Sequence, residues 1–284
     1  MLTRFTVWMY HKVTTANPKT VGGYTREVLR HCSTFLRQPL DSPRLSALLN
    51  RLEAITDSAP KARMPLPMAA VRAYILDPST PAVLRLTLAM ASTLMLRLSD
   101  YIFPDNASDF DTYLNLTFRD IIPEAGRIVV FLGGVKNDPH NKGCRRAIAT
   151  GMYDKRLDAM ELYADYLTDL HAHGVAFSAD SPFLLLNDGR PVKASHVNAA
   201  IRHAARLRPL ECTAPIDRYS SHSLRAAGAT ALAAAGVSDR EIKLLGRWRS
   251  DVFMAYTRLV APAVRQATFT IMLSNAVPAF STLR

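Results

Sequence analysis

The sequence predicts a mainly helical α+β fold, in which a helical catalytic domain contains a small three-stranded antiparallel sheet and follows a short N-terminal helical domain. Apolar residues, 49% of the 284-residue chain, recur mostly at helical spacing. Short β-branched or alternating segments, separated by Pro, Gly, Asn and Asp, occur only in the middle of the chain. Because strands do not alternate with helices, an antiparallel sheet is expected and a parallel one is not.

The first region predicts two helices and a linker. Apolar residues at helical spacing predict a helix over 20–35, and Ser42 followed by Pro predicts a second helix to about residue 55. The segment TDSAPKARMPLP then combines prolines and basic residues without periodicity, which is typical of a linker. We therefore expect a helical domain at 1–64 and a catalytic domain at 65–284.

The second region predicts helices on both sides of the sheet. Gly236 suits the end of one helix, while Ser238 and Glu241 form a capping box at the start of the next. The expected helices are 67–76, 81–98, 154–172, 194–207, 222–235, 239–245 and 251–274, and the expected strands are 114–118, 127–132 and 144–149.

Charge and cysteine content limit the partners. The formal net charge of +11 favours a polyanion, because neutralising phosphates releases counterions. The three cysteines show neither zinc spacing nor a disulfide framework, which favours a reducing, intracellular compartment. No signal peptide is evident, and the apolar stretch 82–96 is interrupted by Arg85 and too short for a membrane span. We expect no membrane association.

The residues best suited to chemistry lie between 220 and 258. His222 and Arg225 are three apart at the start of an Ala-rich helix, so both project from one face near a helix end that favours anions. An imidazole and a guanidinium there suit a phosphate. Trp248 adds an indole N–H donor, and Tyr256 follows eight residues later with a phenol.

These motifs resemble the tyrosine recombinases, also called phage integrases. HSLR, AAGVS, LGRW and the following Tyr are similar to the C-terminal half of that family, and STLMLRLSDY is similar to its first-arginine segment. The resemblance implies a catalytic set of Arg97, Lys136, His222, Arg225, Trp248 and Tyr256, with Asp100 orienting Arg97 or a neighbour. Leu96 stands where the family commonly has Gly, and Asp100 where it has Glu. Lys142 competes with Lys136 for the lysine position.

The same resemblance implies the chemistry. Tyr256 would attack a phosphodiester to give a 3′-phosphotyrosine, with two arginines on the non-bridging oxygens and Lys136 protonating the leaving 5′-oxygen. The covalent bond conserves energy for religation, so neither metal nor nucleotide cofactor is expected. The partner is double-stranded DNA carrying a specific recombination site, in the cytoplasm or nucleoid, or in the nucleus of a eukaryotic host.

The resemblance also leads to predictions about DNA contacts and assembly. By family position the helix at 194–207 could enter a major groove, with Lys193, Arg202 and Arg206 as DNA-binding residues and Ser195 as a possible cap that also contacts DNA. A solvated basic face would show the same residues. The apolar segment after Tyr256 resembles the family's docking helix, which implies a homotetramer on paired sites and a monomer or dimer without DNA. The N-terminal domain is short beside the family's DNA-clamping domain.

Two other functions remain open at this point. A type IB topoisomerase or telomere resolvase uses the same residue types, and a DNA-binding regulator could keep the fold without strand exchange. Individually, each site residue also has a structural explanation: Arg97 paired with Asp100, Lys136 a solvated turn lysine, His222 a cap, Trp248 a core residue and Tyr256 part of an amphipathic helix face. Only their joint order favours the recombinase.

Overall fold

The computed structural model describes residues 64–133, 143–212 and 214–248, together with Thr25, Val28, Ala47 and Met254. The chain divides into two compact units, Met1–Ala62 and Arg63–Arg284. The continuous stretches that are described belong to the second unit. The helices expected at 20–35, 42–55 and 251–274 lie outside the described residues, apart from the isolated positions just named.

The described part of the second unit consists of helices around one small sheet, which confirms the predicted fold class. Its helices are α1 (Met68–Leu76), α2 (Ala82–Thr93), α3 (Ala159–Ala172), α4 (Ala194–Leu207), α5 (Ser221–Ala234) and α6 (Asp239–Leu245). Its strands are β1 (Ile121–Glu124), β2 (Arg127–Leu132) and β3 (Cys144–Ala149). None of the helices in these stretches is long and apolar enough to cross a membrane.

The sheet is antiparallel with the order β1-β2-β3. Ile128 of β2 lies opposite Ile148 of β3, and Val130 lies opposite Ile121 of β1, so the central strand contributes buried side chains to the core. The strands expected at 127–132 and 144–149 are confirmed.

The strand expected at 114–118 is wrong, because the first strand begins at Ile121. The carboxylate of Asp120 accepts hydrogen bonds from the backbone N–H and the hydroxyl of Thr117, at 2.8 Å and 2.7 Å. These side-chain bonds stabilise a 3-10 turn at Phe118–Asp120 in place of an extended strand. The strand that does form contains Pro123, which an edge strand tolerates.

Helix α2 ends at Thr93, five residues before the expected end of 81–98. The chain then turns through Met95, whose φ of 49° is left-handed, and the N–H of Leu96 bonds the carbonyl of Ala91 at 3.0 Å. This closure satisfies a terminal helix carbonyl and redirects the backbone. Arg97 therefore lies in an extended segment after the helix, with φ −78° and ψ 151°.

Helix α5 packs closely on the end of α2. A Cβ added at Gly228 would lie 2.1 Å from the carbonyl oxygen of Ser92, so only glycine permits this approach. Beyond Gly228 the main core is formed by apolar residues of α1 to α5, including the fully buried Tyr166 of α3 and Leu224 of α5, while Ile242 of α6 belongs to a second, smaller cluster with Met95. This packing sets α5 beside the segment that carries Arg97.

Candidate active site

Arg225 connects three parts of the chain that are far apart in sequence. It lies in the second turn of α5, and only 4% of the residue is exposed. Its Nη1 donates to the carbonyl oxygen of Met95 at 2.6 Å, and its Nη2 donates to the carbonyl oxygen of Gly246. A guanidinium has a fixed planar fork of donors, so two carbonyl contacts fix its plane between the end of α2 and the end of α6.

Trp248 covers the same guanidinium. The centre of the Arg225 guanidinium lies 4.2 Å from the centroid of the indole ring, within cation–π distance. The backbone N–H of Trp248 bonds the carbonyl of Lys243 at 3.0 Å, so the chain folds back after α6. A Cβ at Gly246 would lie 1.7 Å from the ring, which shows that this position needs glycine for the indole to reach Arg225.

Asp100 is a second, buried junction in the site. Its carboxylate accepts the backbone N–H of Arg97 at 2.8 Å and Nη2 of Arg247 at 2.5 Å. The side chains of Arg247 and Asp100 are only 11% and 4% exposed. Asp100 thus positions the main chain of Arg97 and the side chain of Arg247, which links the segment after α2 to the segment after α6.

His222 lies at the start of α5 and is exposed. It precedes Arg225 by three residues on the same helix, so both side chains occupy one face. The neighbouring Ser221 N–H donates to Oδ1 of Asn198 at 3.0 Å, which fixes this end of α5 against α4. The imidazole is therefore on the helix end nearest α4, within one turn of Arg225.

The sheet reaches the site through Arg146 of β3. Its Nη2 donates to the carbonyl oxygen of Leu244, at the end of α6, with a distance of 3.1 Å. Leu244 is two residues before Gly246, whose carbonyl accepts from Arg225. The strand pair β2–β3, whose connecting segment contains Lys136, is thereby joined to the turn that carries Trp248.

The structure brings Arg97, Asp100, Arg225 and Trp248 together, with His222 one turn before Arg225 on α5. Arg97 and Arg225 lie on the same side of the domain, because Arg225 bonds the residue two before Arg97 and Asp100 bonds Arg97 itself. Trp248 stacks on Arg225. The predicted lysine Lys136, its alternative Lys142 and the predicted nucleophile Tyr256 lie outside the described residues.

The sequence did not predict that Arg247 and Arg146 contribute to the site. The motif LGRW contains Arg247, but its spacing gave no reason to prefer Arg247 over the adjacent Trp248 as an inward residue. The φ of 57° at Arg247 allows both side chains to turn into the site. In a strand, side chains point alternately to the two faces, so CRRAIA could have indicated that one of Arg145 and Arg146 faces inward. It could not have indicated that Arg146 bonds the carbonyl of Leu244.

The expected DNA-binding residues lie along one helix. Lys193, Ser195, Arg202 and Arg206 are all exposed on or beside α4. The prediction that Ser195 caps the helix is wrong, since α4 begins at Ala194 and Lys193 occupies the N-cap position. Instead, the ring of His196 accepts the backbone N–H of Lys193 at 3.0 Å. Their contact with DNA stays a prediction.

Comparison with known proteins identifies the family. The family model described as "Phage integrase family" matches residues 112–261, which is more than half of the chain. The chain belongs to the phage integrase family. At the level of the family, this match confirms two predictions from the sequence: the family itself and a site-specific recombinase function. No curated protein matches the chain.

Solved structures show the same fold for this phage integrase family member. The XerH site-specific recombinase bound to a palindromic difH substrate has a TM-score of 0.58 and 12% identity, covering 95% of this chain and 72% of that one. The Tn1549 transposon integrase in complex with transposon right end DNA has a TM-score of 0.56 and 14% identity, covering 96% and 84%. At these identities the likeness concerns the fold.

Proposed function

We propose that this phage integrase family member cleaves and rejoins DNA at a specific site through a covalent bond between Tyr256 and a 3′-phosphate. The observation that supports the proposal best is the position of Arg225. Its guanidinium is buried, fixed by two backbone carbonyls and covered by Trp248, and it lies beside the segment that carries Arg97. Fixed cationic groups of this kind stabilise charge that develops on a phosphoryl group.

In this mechanism Arg97 and Arg225 bind the non-bridging oxygens of the scissile phosphate. Because two carbonyls fix the guanidinium of Arg225 and Asp100 holds the backbone of Arg97, little reorganisation is needed when the phosphorus becomes pentavalent. His222 and the indole N–H of Trp248 supply further donors. Asp100 acts through Arg97, whose backbone it holds.

Tyr256 supplies the nucleophile. A phenol has a pKa of about 10, so nearby guanidinium charge is needed to favour the phenolate at neutral pH. Its oxygen forms a bond to phosphorus while the bond to the 5′-oxygen breaks, and Lys136 donates the proton that the leaving oxygen takes up. Religation reverses these steps, so we propose that no metal or nucleotide cofactor takes part.

Double-stranded DNA is the proposed partner, in the cytoplasm or nucleoid or in a nucleus. The XerH and Tn1549 structures contain DNA, and the net charge of +11 suits the same partner. We further propose that 1–64 forms a DNA-clamping domain, that α4 contacts the duplex, and that the apolar segment after Tyr256 joins protomers into a tetramer on paired sites.

A nicked suicide substrate tests the proposed function. The binding site is first selected from random duplexes, and cleavage of a nicked version then traps the protein on the DNA because the short 5′-fragment dissociates. We expect a covalent adduct with the wild type and with the control Tyr153→Phe, whose phenol is exposed. Tyr256→Phe should bind the DNA and give no adduct.

The outcomes separate the candidate functions. Binding of the selected site without an adduct in the wild type would contradict the proposal and indicate a regulator. An adduct accompanied by supercoil relaxation by the monomer would indicate a type IB topoisomerase. An adduct that survives Tyr256→Phe would place the nucleophile elsewhere.

A further inference from the structure

We propose that Arg247 is a third phosphate-binding guanidinium of this site, beside Arg97 and Arg225. The inference rests on the proposed function, because it takes the bound anion to be a phosphodiester of DNA. It begins with the charges around Asp100. The buried carboxylate of Asp100 accepts the backbone N–H of Arg97 and forms an ion pair with the guanidinium of Arg247, so its single negative charge faces the Arg247 side chain and the segment that carries Arg97.

Buried donors remain unused in this cluster. Within the described residues, Nη1 of Arg97 and both Nε and Nη1 of Arg247 are shielded from solvent and have no hydrogen-bond partner. Leaving charged donors unpaired in a protein interior costs free energy, so such groups generally have a hydrogen-bond partner, which can be a bound anion or a water molecule. The Asp100 carboxylate engages only Nη2 of Arg247. The remaining donors require acceptors that a single carboxylate does not supply.

A tetrahedral oxyanion fits this set of donors. Guanidiniums bind phosphate through parallel N–H donors, and burial strengthens that interaction. Three successive residues of the turn after α6 contact this part of the site. The carbonyl of Gly246 accepts a hydrogen bond from Arg225, Arg247 bonds Asp100, and Trp248 stacks on Arg225. Arg247 therefore belongs to the same pocket as Arg225, with Asp100 holding it in position.

The left-handed backbone at Arg247 supports a functional role. Its φ of 57° is unfavourable for a residue with a long side chain, and glycine would adopt it without strain. Strain of this kind is commonly found at functional sites. Here the conformation lets two successive side chains, Arg247 and Trp248, both face the pocket.

Inorganic phosphate tests the inference without DNA. The melting temperature of the full chain is measured while potassium phosphate replaces potassium chloride at constant ionic strength. We expect phosphate to stabilise the wild type. Arg247→Lys can keep an ion pair with Asp100 but lacks the planar donors, so its melting temperature in chloride should stay close to that of the wild type. Its apparent phosphate affinity should fall by about tenfold.

Arg156→Lys is the matched control, since Arg156 is also paired with a carboxylate, Asp154, but is exposed. It should respond to phosphate as the wild type does. A wild-type phosphate response in Arg247→Lys would overturn the inference, and so would a wild type that phosphate does not stabilise. If Arg247→Lys is too unstable in chloride, Arg247→Gln combined with Asp100→Asn removes both charges and must show the same loss of phosphate response.

The phosphate titration and the suicide substrate have independent outcomes. If the wild type forms no covalent adduct but Arg247→Lys still loses the phosphate response, only the proposed function is contradicted. A chain that forms the adduct while Arg247→Lys keeps the phosphate response would contradict only the inference about Arg247.

Discussion

Individual residues show how narrowly the site depends on backbone geometry. Trp248 reaches Arg225 only because Gly246 lacks a Cβ, and Met95 and Arg247 both adopt positive φ values where the chain enters the pocket. The sequence could nominate Arg97, Arg225 and Trp248 by their order and type. It could not reveal Arg247, because spacing does not show which of two adjacent residues turns inward when the backbone is left-handed.

The close contact at Gly228 predicts the sign of the change in the free energy of unfolding for Gly228→Ala. In an unobstructed helix interior, Gly→Ala stabilises by about 1 kcal/mol. At Gly228 the new methyl would meet the carbonyl oxygen of Ser92, which belongs to the backbone and cannot rotate away. We expect Gly228→Ala to lower the free energy of unfolding by about 1–3 kcal/mol in urea denaturation. An increase in stability would show that α5 and α2 are not in such close contact.

At the scale of elements, side chains at helix and strand ends account for the differences from the sequence prediction. The pattern gave α4 and α6 their observed bounds, 194–207 and 239–245. The helix expected at 154–172 begins only at Ala159, because Asp158 caps it by accepting the N–H of Met160 at 2.9 Å. Residues 155–157 form a separate 3-10 turn. Such local bonds compete with regular structure and leave little trace in apolar periodicity.

Asp158 also predicts a pH dependence of stability. Burial by itself would raise the pKa of this carboxyl, but hydrogen bonds from backbone N–H groups, among them those of Met152, Met160 and Gly151, outweigh it and lower the pKa. Because the folded-state pKa lies below the unfolded one, the stabilisation is complete above about pH 4 and disappears as the pH falls through the folded-state value.

The variant Asp158→Asn tests this dependence. We expect it to lower the free energy of unfolding by about 1–3 kcal/mol at neutral pH, since an amide accepts these bonds less strongly. The difference between variant and wild type should shrink on acidification towards pH 3. A difference that is the same at pH 7 and pH 3 would contradict the assignment. The measurement is urea unfolding at several pH values.

For the molecule as a whole, family and fold could be predicted because six motif positions occur in the family's order along the chain. Each motif taken alone is too common to identify a family. Charge indicates the partner only in general terms, since +11 favours any polyanion. The predicted DNA-contacting face of α4 is more specific, because Arg202 and Arg206 lie four residues apart on one exposed side.

The double variant Arg202→Gln with Arg206→Gln tests that face. If both arginines contact phosphates, DNA binding should weaken, and the slope of log affinity against log salt should decrease by about 1 for each lost contact. Arg156→Gln, which removes an exposed arginine elsewhere, should leave the slope unchanged. Fluorescence anisotropy with a duplex at several salt concentrations gives both quantities. An unchanged slope in the double variant would assign α4 to a solvated surface.

The bond from Arg225 to Met95 spans 130 positions of the chain. During synthesis, a nascent polypeptide that has emerged only as far as β3 therefore carries Arg97 but has neither Arg225 nor Trp248. Under the proposed function, DNA cleavage therefore has to wait until nearly the whole chain has left the ribosome. A prematurely terminated product that ends before Tyr256 would lack the proposed nucleophile and could not cleave DNA.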